Sequence, residues 1–286
     1  MNEIVTFIKD NLLQNESVIN LVAEGMMAAF FLRFKTHTKE FEKIKAGKLD
    51  EAIEDMLKDG YVTYADLYKT RNFLKIAKKA DDYYKKRNHS EILGNKKIDI
   101  DWLFKLYYEG GSVSDDDLQE IWGRIFSEEI NEIGSISKRT LVVLSNLSKN
   151  EAQIFKGLLK YVLECDDLSC RGERRDYFIP ASGDLLERYN IRFSDILLMS
   201  SAGLIICDTF LQVQIKASKK SPGKIYRKDE IVIEVKDENE NEKLHSIGAF
   251  LLTEAGIELY RVLFDEEENI REDINDYLDD CRKFFH

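Results

Sequence analysis

The sequence is short of proline, cysteine and histidine, and each shortage argues against a class of protein. Two prolines in 286 residues leave long helices uninterrupted, because proline ends or kinks a helix. Four cysteines are too few for a disulfide scaffold, so we expect free thiols. Four histidines lie scattered along the chain, which argues against a zinc site or a catalytic triad. We therefore predict no bound metal and no cofactor.

Long apolar runs are missing too. The longest, Met26 to Leu32, is much shorter than a membrane span, and the first residues lack the basic start and apolar stretch of a signal peptide. These absences predict a cytoplasmic protein with no membrane span. The net charge of −11 argues against a general nucleic-acid binder, although a local basic patch can still hold phosphates.

Catalytic motifs of high specificity are absent from the sequence: it has no phosphate-binding loop, zinc-protease helix, dinucleotide-binding glycines or nucleophile elbow. One weak constellation joins Asp208, near a predicted strand, to Glu234 and Lys236 on the next strand. In metal-dependent nucleases, two carboxylates hold a divalent cation and a lysine helps to position the attacking water. The triplet is common by chance, so we predict a non-enzymatic protein and keep a metal-dependent nuclease as an alternative.

Two long helices are predicted before residue 95. The first covers residues 16–46, and an apolar stripe over residues 18–44 indicates either a buried face or a homo-oligomer seam. The second covers residues 62–87, with its apolar side chains within an arc of roughly 120°. The opposite arc indicates either a phosphate-binding face or a solvated one. Its cations are Arg71, Lys75, Lys78, Lys79, Lys85 and Lys86.

The central stretch, residues 98–155, is dense in helix signals. Ser114 precedes three aspartates and is predicted to cap a helix, since acids in a first turn suit the helix dipole. Ser148 and Glu151 have the spacing of a capping box. Short connections between these helices predict a compact bundle.

The same stretch carries a family resemblance. Its motifs are Asp99-x-Asp101-Trp102, Ile121-Trp122-Gly-Arg124-Ile125, Gly134-Ser-Ile-Ser137 and Leu147-Ser148-x-x-Glu151-Ala152-x-x-Phe155. This series resembles the bacterial domain-of-unknown-function family 2806 and is more distantly similar to the abortive-infection alpha family. The resemblance implies an intracellular bacterial protein with a role in phage defence, and it supplies no catalytic residues.

The last hundred residues show helices, a predicted hairpin, a strand and a further helix, which is the order of a winged-helix-like module. Its candidate recognition helix, residues 194–202, lacks the Arg, Lys, Asn or Gln that read bases, so we do not expect sequence-specific DNA recognition. A basic loop over residues 216–228 is predicted to be the wing, either for phosphates or for a protein. Its cations are Lys216, Lys219, Lys220, Lys224, Arg227 and Lys228.

Together these patterns predict a mostly α protein (α+β) with long N-terminal helices, a central helical bundle and a C-terminal winged-helix-like module with a small antiparallel hairpin. The predicted domains are residues 1–95, a long-helix hairpin, and residues 96–286. We expect a non-enzymatic interaction or regulatory protein, linked to phage defence, that binds a macromolecular partner. The alternative is a nucleic-acid-backbone binder that uses the two basic sets.

Overall fold

The structure is a computed structural model that describes residue 43 and residues 49–86, 98–166, 168, 174–208, 210–264 and 272–284. Contacts between Cα atoms divide the chain into unit 1, Met1–Ser145, and unit 2, Asn146–His286. This division differs from the predicted one, which placed the boundary at residues 95 and 96. The proposed oligomer seam over residues 18–44 lies outside the described residues, apart from residue 43.

Unit 1 is helical over its described residues. Its helices are α1 (Leu49–Lys58), α2 (Tyr64–Lys86), α3 (Ile100–Gly110), α4 (Asp116–Asn131) and α5 (Lys138–Ser145). The predicted helix over residues 62–87 is therefore confirmed as α2. No helix among the described residues is both long enough and apolar enough to cross a lipid bilayer.

The core of unit 1 forms where α2 packs on α4. Phe73, Trp122 and Phe126 are almost completely buried, and the rings of Phe73 and Phe126 stack with centroids 6.2 Å apart. Gly123 permits this approach, because a Cβ at that position would lie 2.7 Å from Cβ of Lys79.

Helix caps decide where two elements begin. The capping box of Ser148 and Glu151 is confirmed, since each side chain accepts a hydrogen bond from the other residue's backbone amide. The predicted cap at Ser114 is wrong by one position, because the Asp115 side chain accepts from the amides of Asp117 and Leu118. A carboxylate is the better acceptor at this site, which also faces the positive end of the helix dipole.

Unit 2 joins helices to an antiparallel sheet. Its elements, in chain order, are α6 (Lys149–Leu159), β1 (Leu163–Asp166), β2 (Arg175–Pro180), α7 (Gly183–Arg188), α8 (Phe193–Ser201), β3 (Ile205–Ile206), β4 (Gln212–Ala217), β5 (Gly223–Arg227), β6 (Glu230–Val235), β7 (Lys243–Leu252), α9 (Glu254–Leu263) and α10 (Glu272–Phe284).

The sheet has seven strands in the order β3-β7-β2-β1-β5-β6, and β4 also pairs with β7. All of its pairings are antiparallel. The first half of β7 pairs with β4, whereas its last residues lie between β2 and β3. Strand β7 therefore holds one side of the sheet together.

The prediction of a mostly α protein with a small hairpin and a winged-helix-like end is wrong. The missing elements are β1 and β5, which pair with each other in the middle of the sheet. The apolar residues of 156–164 continue a helical spacing and on their own predict a helix to Glu164, but α6 ends at Leu159 and β1 begins at Leu163. The cations of residues 216–228 predict a loop, but this segment includes the end of β4 and all of β5.

The described cysteines, Cys165, Cys207 and Cys281, are free thiols, as predicted. Cys165 and Cys281 are buried. Burial raises the pKa of the Cys281 thiol to about 12, so that thiol is protonated and unreactive at neutral pH.

Gly256 marks a contact that tolerates no side chain. A Cβ there would lie 2.2 Å from the backbone carbonyl oxygen of Leu204, so α9 would have to move away from the segment that precedes β3. We expect Gly256→Ala to lower the free energy of unfolding by about 1–3 kcal/mol. In Gly157→Ala a Cβ would meet no atom within 4 Å, and this helical substitution should stabilise by about 0.5–1 kcal/mol. Urea unfolding of both variants tests the contrast, and equal effects would contradict it.

Candidate functional site

Three exposed tyrosines distinguish the surface of unit 1. The side chains of Tyr64 and Tyr68 on α2 are 63% and 39% exposed, and that of Tyr108 on α3 is 50% exposed. Tyr64 and Tyr68 are four residues apart, which places them one above the other on a single helix face. Large aromatic side chains at a protein surface are typical of binding sites.

Cations lie against two of these rings. The guanidinium carbon of Arg71 lies 4.8 Å from the ring centroid of Tyr68, and Nζ of Lys69 lies 5.7 Å from the ring centroid of Tyr108. Both distances are within the range of a cation–π interaction. We call this set the tyrosine surface; it consists of Tyr64, Tyr68, Lys69, Arg71, Lys75 and Tyr108.

Most of the tyrosine surface follows one stripe of α2, whereas Lys69 lies about 140° from Tyr64 around the helix and Tyr108 is on α3. At about 100° per residue, Tyr64, Tyr68, Arg71, Lys75 and Lys78 fall within an arc of roughly 80°. The stripe is thus aromatic at its start and cationic further along. Exposed Asp82 lies on the same stripe and interrupts its positive part, which exposed Lys86 resumes one turn later.

The turn between α3 and α4 packs against α2 and supports the tyrosine surface. The side chain of Asn72, which is completely buried, donates from Nδ2 to the carbonyl oxygen of Gly111 at 3.0 Å. The buried side chain of Gln119 donates to the carbonyl oxygen of Val113 at 2.8 Å. A Cβ at Gly111 would lie 3.0 Å from the carbonyl oxygen of Lys69, so the turn lies directly on α2. The exposed rings therefore stand on a rigid support.

The same turn sets the electrostatics of Tyr68. A hydrogen bond with the Ser114 side chain lowers the pKa of the Tyr68 hydroxyl, and a hydrogen bond with Asn72 and the charges of Arg71 and Lys75 act in the same direction. Phosphate and other anions would meet the same positive field.

Other cations of the predicted basic set on α2 are engaged elsewhere. Nζ of Lys79 lies 3.2 Å from a carboxylate oxygen of Asp116 and 3.1 Å from one of Glu120. Lys85 forms an ion pair with Asp81, and Nζ of Lys86 lies 5.5 Å from the ring centroid of Tyr83. Arg71 and Lys75 belong to the tyrosine surface. The cations that are predicted to form one face of α2 are therefore divided: some contact acids of α4 or of α2 itself, and others face solvent.

The second basic set lies on β4, β5 and their turns in unit 2. The backbone amide of Lys219 donates to the carbonyl oxygen of Asn239, and Nζ of Lys220 lies 3.9 Å from a carboxylate oxygen of Glu240. An acidic turn thus lies beside these two lysines. Lys224 pairs across the sheet with Glu234, so its charge also faces an acid.

Arg227 and Lys228 both lie over the ring of Phe264, at 4.8 Å and 5.5 Å from its centroid. Arg227 also donates to the carbonyl oxygen of Lys160 at 3.1 Å. Lys216 is exposed on β4, opposite Leu244. The structure therefore gives this set fewer cations directed at solvent than the sequence indicates.

The residues of the nuclease alternative lie far apart in the strand order. Asp208 follows β3, and its carboxylate accepts a hydrogen bond from the backbone amide of Phe210 at 3.0 Å. Glu234 is exposed on β6. Strands β3 and β6 lie at opposite ends of the strand order. Across the described ranges, no three His, Cys, Asp or Glu residues group in a way that could hold a metal ion. A nuclease function stays a prediction, to be tested by Glu234→Ala and Lys236→Ala in a cleavage assay with magnesium.

Glu164 in unit 2 carries a buried carboxylate that no sequence pattern indicates. The side chain of Glu164 is 2% exposed and accepts hydrogen bonds from Arg175 at 3.1 Å, from the amide of Lys228 at 2.7 Å and from the Tyr260 hydroxyl at 3.3 Å. Burial, and then the charge of Glu164, raise the pKa of Tyr260. These contacts join β1 to the turn between β5 and β6, which indicates a structural role.

Sequence signals could have found only part of the tyrosine surface. The spacing of Tyr64, Tyr68, Arg71 and Lys75 is visible on a helical projection of α2. Tyr108 has no such signal, because only the packing of α3 against α2 brings it next to Lys69.

Comparison with known proteins adds one match. The family model described as protein of unknown function (DUF2806) matches residues 63–273, which is more than half of the chain. No curated protein and no solved structure matches the chain.

Proposed function

The chain belongs to the DUF2806 family, whose description assigns no activity. From the surface of the chain itself, we propose that it is a non-enzymatic cytoplasmic protein that binds a macromolecular partner. The binding site is the tyrosine surface of unit 1. The observation that supports this proposal is the exposure of Tyr64, Tyr68 and Tyr108 beside Arg71 and Lys69. Tyrosine and arginine are the side chains that most often dominate binding energy.

Rigidity of the support strengthens the proposal. Tyrosine gains contact area at a low entropic cost, because its ring has few torsions to fix. Here the rings also rest on a turn that buried Asn72 and Gln119 hold in place. A partner would therefore meet a preorganised surface, which reduces the free energy lost on association.

The first test is a paired capture experiment with the full-length protein. We expect wild-type protein to retain a macromolecule from a bacterial lysate that a Tyr64→Ser/Tyr108→Ser variant does not retain, because both rings are largely exposed contact area. Phe210→Ser, which removes a side chain that is 90% exposed in unit 2, is the matched control and should behave as wild type. Equal retention by all three proteins would contradict the proposed site.

We further propose that binding serves defence against bacteriophage. This proposal comes from the resemblance of residues 98–155 alone. Cells that express the wild-type chain should reduce phage plating, and the Tyr64→Ser/Tyr108→Ser variant should restore it. Plating that is unaffected by the wild-type chain across a phage panel would count against the defence role and leave the binding proposal to the capture experiment.

A further inference from the structure

We propose that the partner of the tyrosine surface is a single-stranded nucleic acid, with bases stacked on the tyrosines and phosphates held by Arg71 and Lys75. This inference rests on the proposed function and names the partner class of the same site. Proteins that bind single strands without sequence preference combine aromatic stacking platforms with a positive groove. The tyrosine surface has exposed rings with cations beside them, and four of its members share one stripe of α2.

Ring spacing favours a single strand over a duplex. Tyr64 and Tyr68 are four residues apart on α2, which is about 6 Å along the helix axis. Bases in one strand of a duplex follow each other about every 3.4 Å. Two rings at the larger spacing can face successive bases only when those bases are unstacked, and stacking on a side chain requires an open base face.

Cations lie further along the same stripe of α2, after the two tyrosines. Arg71 and Lys75 come one and two turns after Tyr68, and exposed Lys78 comes next on the same stripe. From Tyr64 to Lys78 the stripe is about 21 Å long, which suits about four nucleotides at the ring spacing. The guanidinium of Arg71 lies over the ring of Tyr68, and a guanidinium plane can also stack on a base.

Acids limit the length of the site. Exposed Asp82 interrupts the stripe after Lys78, and Asp116 and Glu120 form ion pairs with Lys79 beside it. Asp66, near the start of α2, accepts from the amide and hydroxyl of Thr63. With a net charge of −11 on the whole chain, long-range attraction of nucleic acid is absent. Binding should therefore depend on stacking more than on charge.

Unit 2 offers a weaker basic surface for the same ligand. There the acidic turn at residues 237–242 lies beside Lys219 and Lys220, and Arg227 and Lys228 lie over Phe264. Among the residues of unit 2 that the structure describes, no exposed tyrosine lies between its exposed cations. Of the two basic sets that are predicted to bind backbone phosphates, we therefore propose only the one on α2 as the binding site.

The test is fluorescence anisotropy of full-length protein with short labelled oligothymidylate, oligouridylate and a duplex of equal length. We expect the single strands to bind more tightly than the duplex. Tyr64→Leu and Tyr108→Leu should each weaken single-strand binding about 5- to 150-fold, the loss that corresponds to one stacked base. Tyr64→Phe and Tyr108→Phe keep the ring and should bind as wild type.

Salt dependence separates phosphate contacts from stacking. The slope of log Kd against log salt should fall by about 0.7 in the Arg71→Gln variant. It should fall by the same amount in the separate Lys75→Gln variant, because each side chain is expected to make one phosphate contact with a single strand. Lys58→Gln, an exposed charge at the end of α1, should leave the slope unchanged. Leucine variants that bind as wild type, or a duplex that binds equally, would overturn the inference.

The two proposals fail in different ways. If no oligonucleotide binds at low salt, and the captured partner survives nuclease treatment of the lysate, the single-strand inference is wrong and the proposed function stands. If wild type and the Tyr64→Ser/Tyr108→Ser variant capture the same molecules, the proposed binding site itself is wrong.

Discussion

Replacing Glu164 by alanine is expected to lower the free energy of unfolding by about 3 kcal/mol, the lower end of the range for breaking a buried ion pair. The carboxylate is almost fully buried and accepts from Arg175, the amide of Lys228 and the Tyr260 hydroxyl. Alanine leaves those donors without their acceptor inside the protein. The lower end applies because Nη1 of Arg175 also lies 2.5 Å from a carboxylate oxygen of Asp229.

The matched control is Asp229→Asn, which removes the other partner of the same arginine. Asp229 is 88% exposed at its side chain, so water screens the pair and the loss should stay below about 1 kcal/mol. Urea unfolding followed by circular dichroism measures both losses, and hydrogen exchange should show faster opening of β1 and β5 in Glu164→Ala. A loss for Asp229→Asn as large as that for Glu164→Ala would show that burial is not the cause.

Replacing Glu129 by alanine should lower the stability of unit 1 by about 2–5 kcal/mol, because two amides lose their acceptor. The side chain of Glu129 is 1% exposed. Its two oxygens accept from the amides of Gly134 and Ile136, at 2.8 Å and 3.0 Å. The indole of Trp102 donates to the carbonyl oxygen of Ile136 at 2.7 Å, so one short loop is held from both sides.

Tryptophan fluorescence measures this change selectively, since both tryptophans of the chain, Trp102 and Trp122, are in unit 1. Glu132→Ala removes an exposed acid from the same loop and should change the free energy of unfolding by less than about 0.5 kcal/mol. Similar unfolding midpoints for the two variants would mean that the Glu129 contacts contribute little.

Local rules predicted much of the helical structure and little of the sheet. A capping box uses residues three apart, so Ser148 and Glu151 reveal it without any tertiary information. The apolar arc of α2 likewise follows from helix geometry, and Phe73, Ile76, Ala77 and Ala80 are buried as predicted. These signals lie within a few turns of one helix.

The sheet and the buried acids depend on distant parts of the chain. Strand β1 is four residues long, and its partners, β2 and β5, come later in the sequence. Nothing near Glu164 indicates that Arg175, Lys228 and Tyr260 surround it. The tyrosine surface is intermediate, because α2 supplies its stripe and the packing of α3 adds Tyr108.

Strand β7 has a consequence for the order in which the protein folds during synthesis. β2 pairs with β7 through Phe178 and Leu251, and β3 and β4 also require β7. At about 5–20 residues per second, a ribosome needs several seconds to add the segment between β2 and β7. During that interval β2 has one edge without its partner, and such edges promote aggregation. Unit 1 has all of its residues by Ser145, so it can fold before the sheet closes.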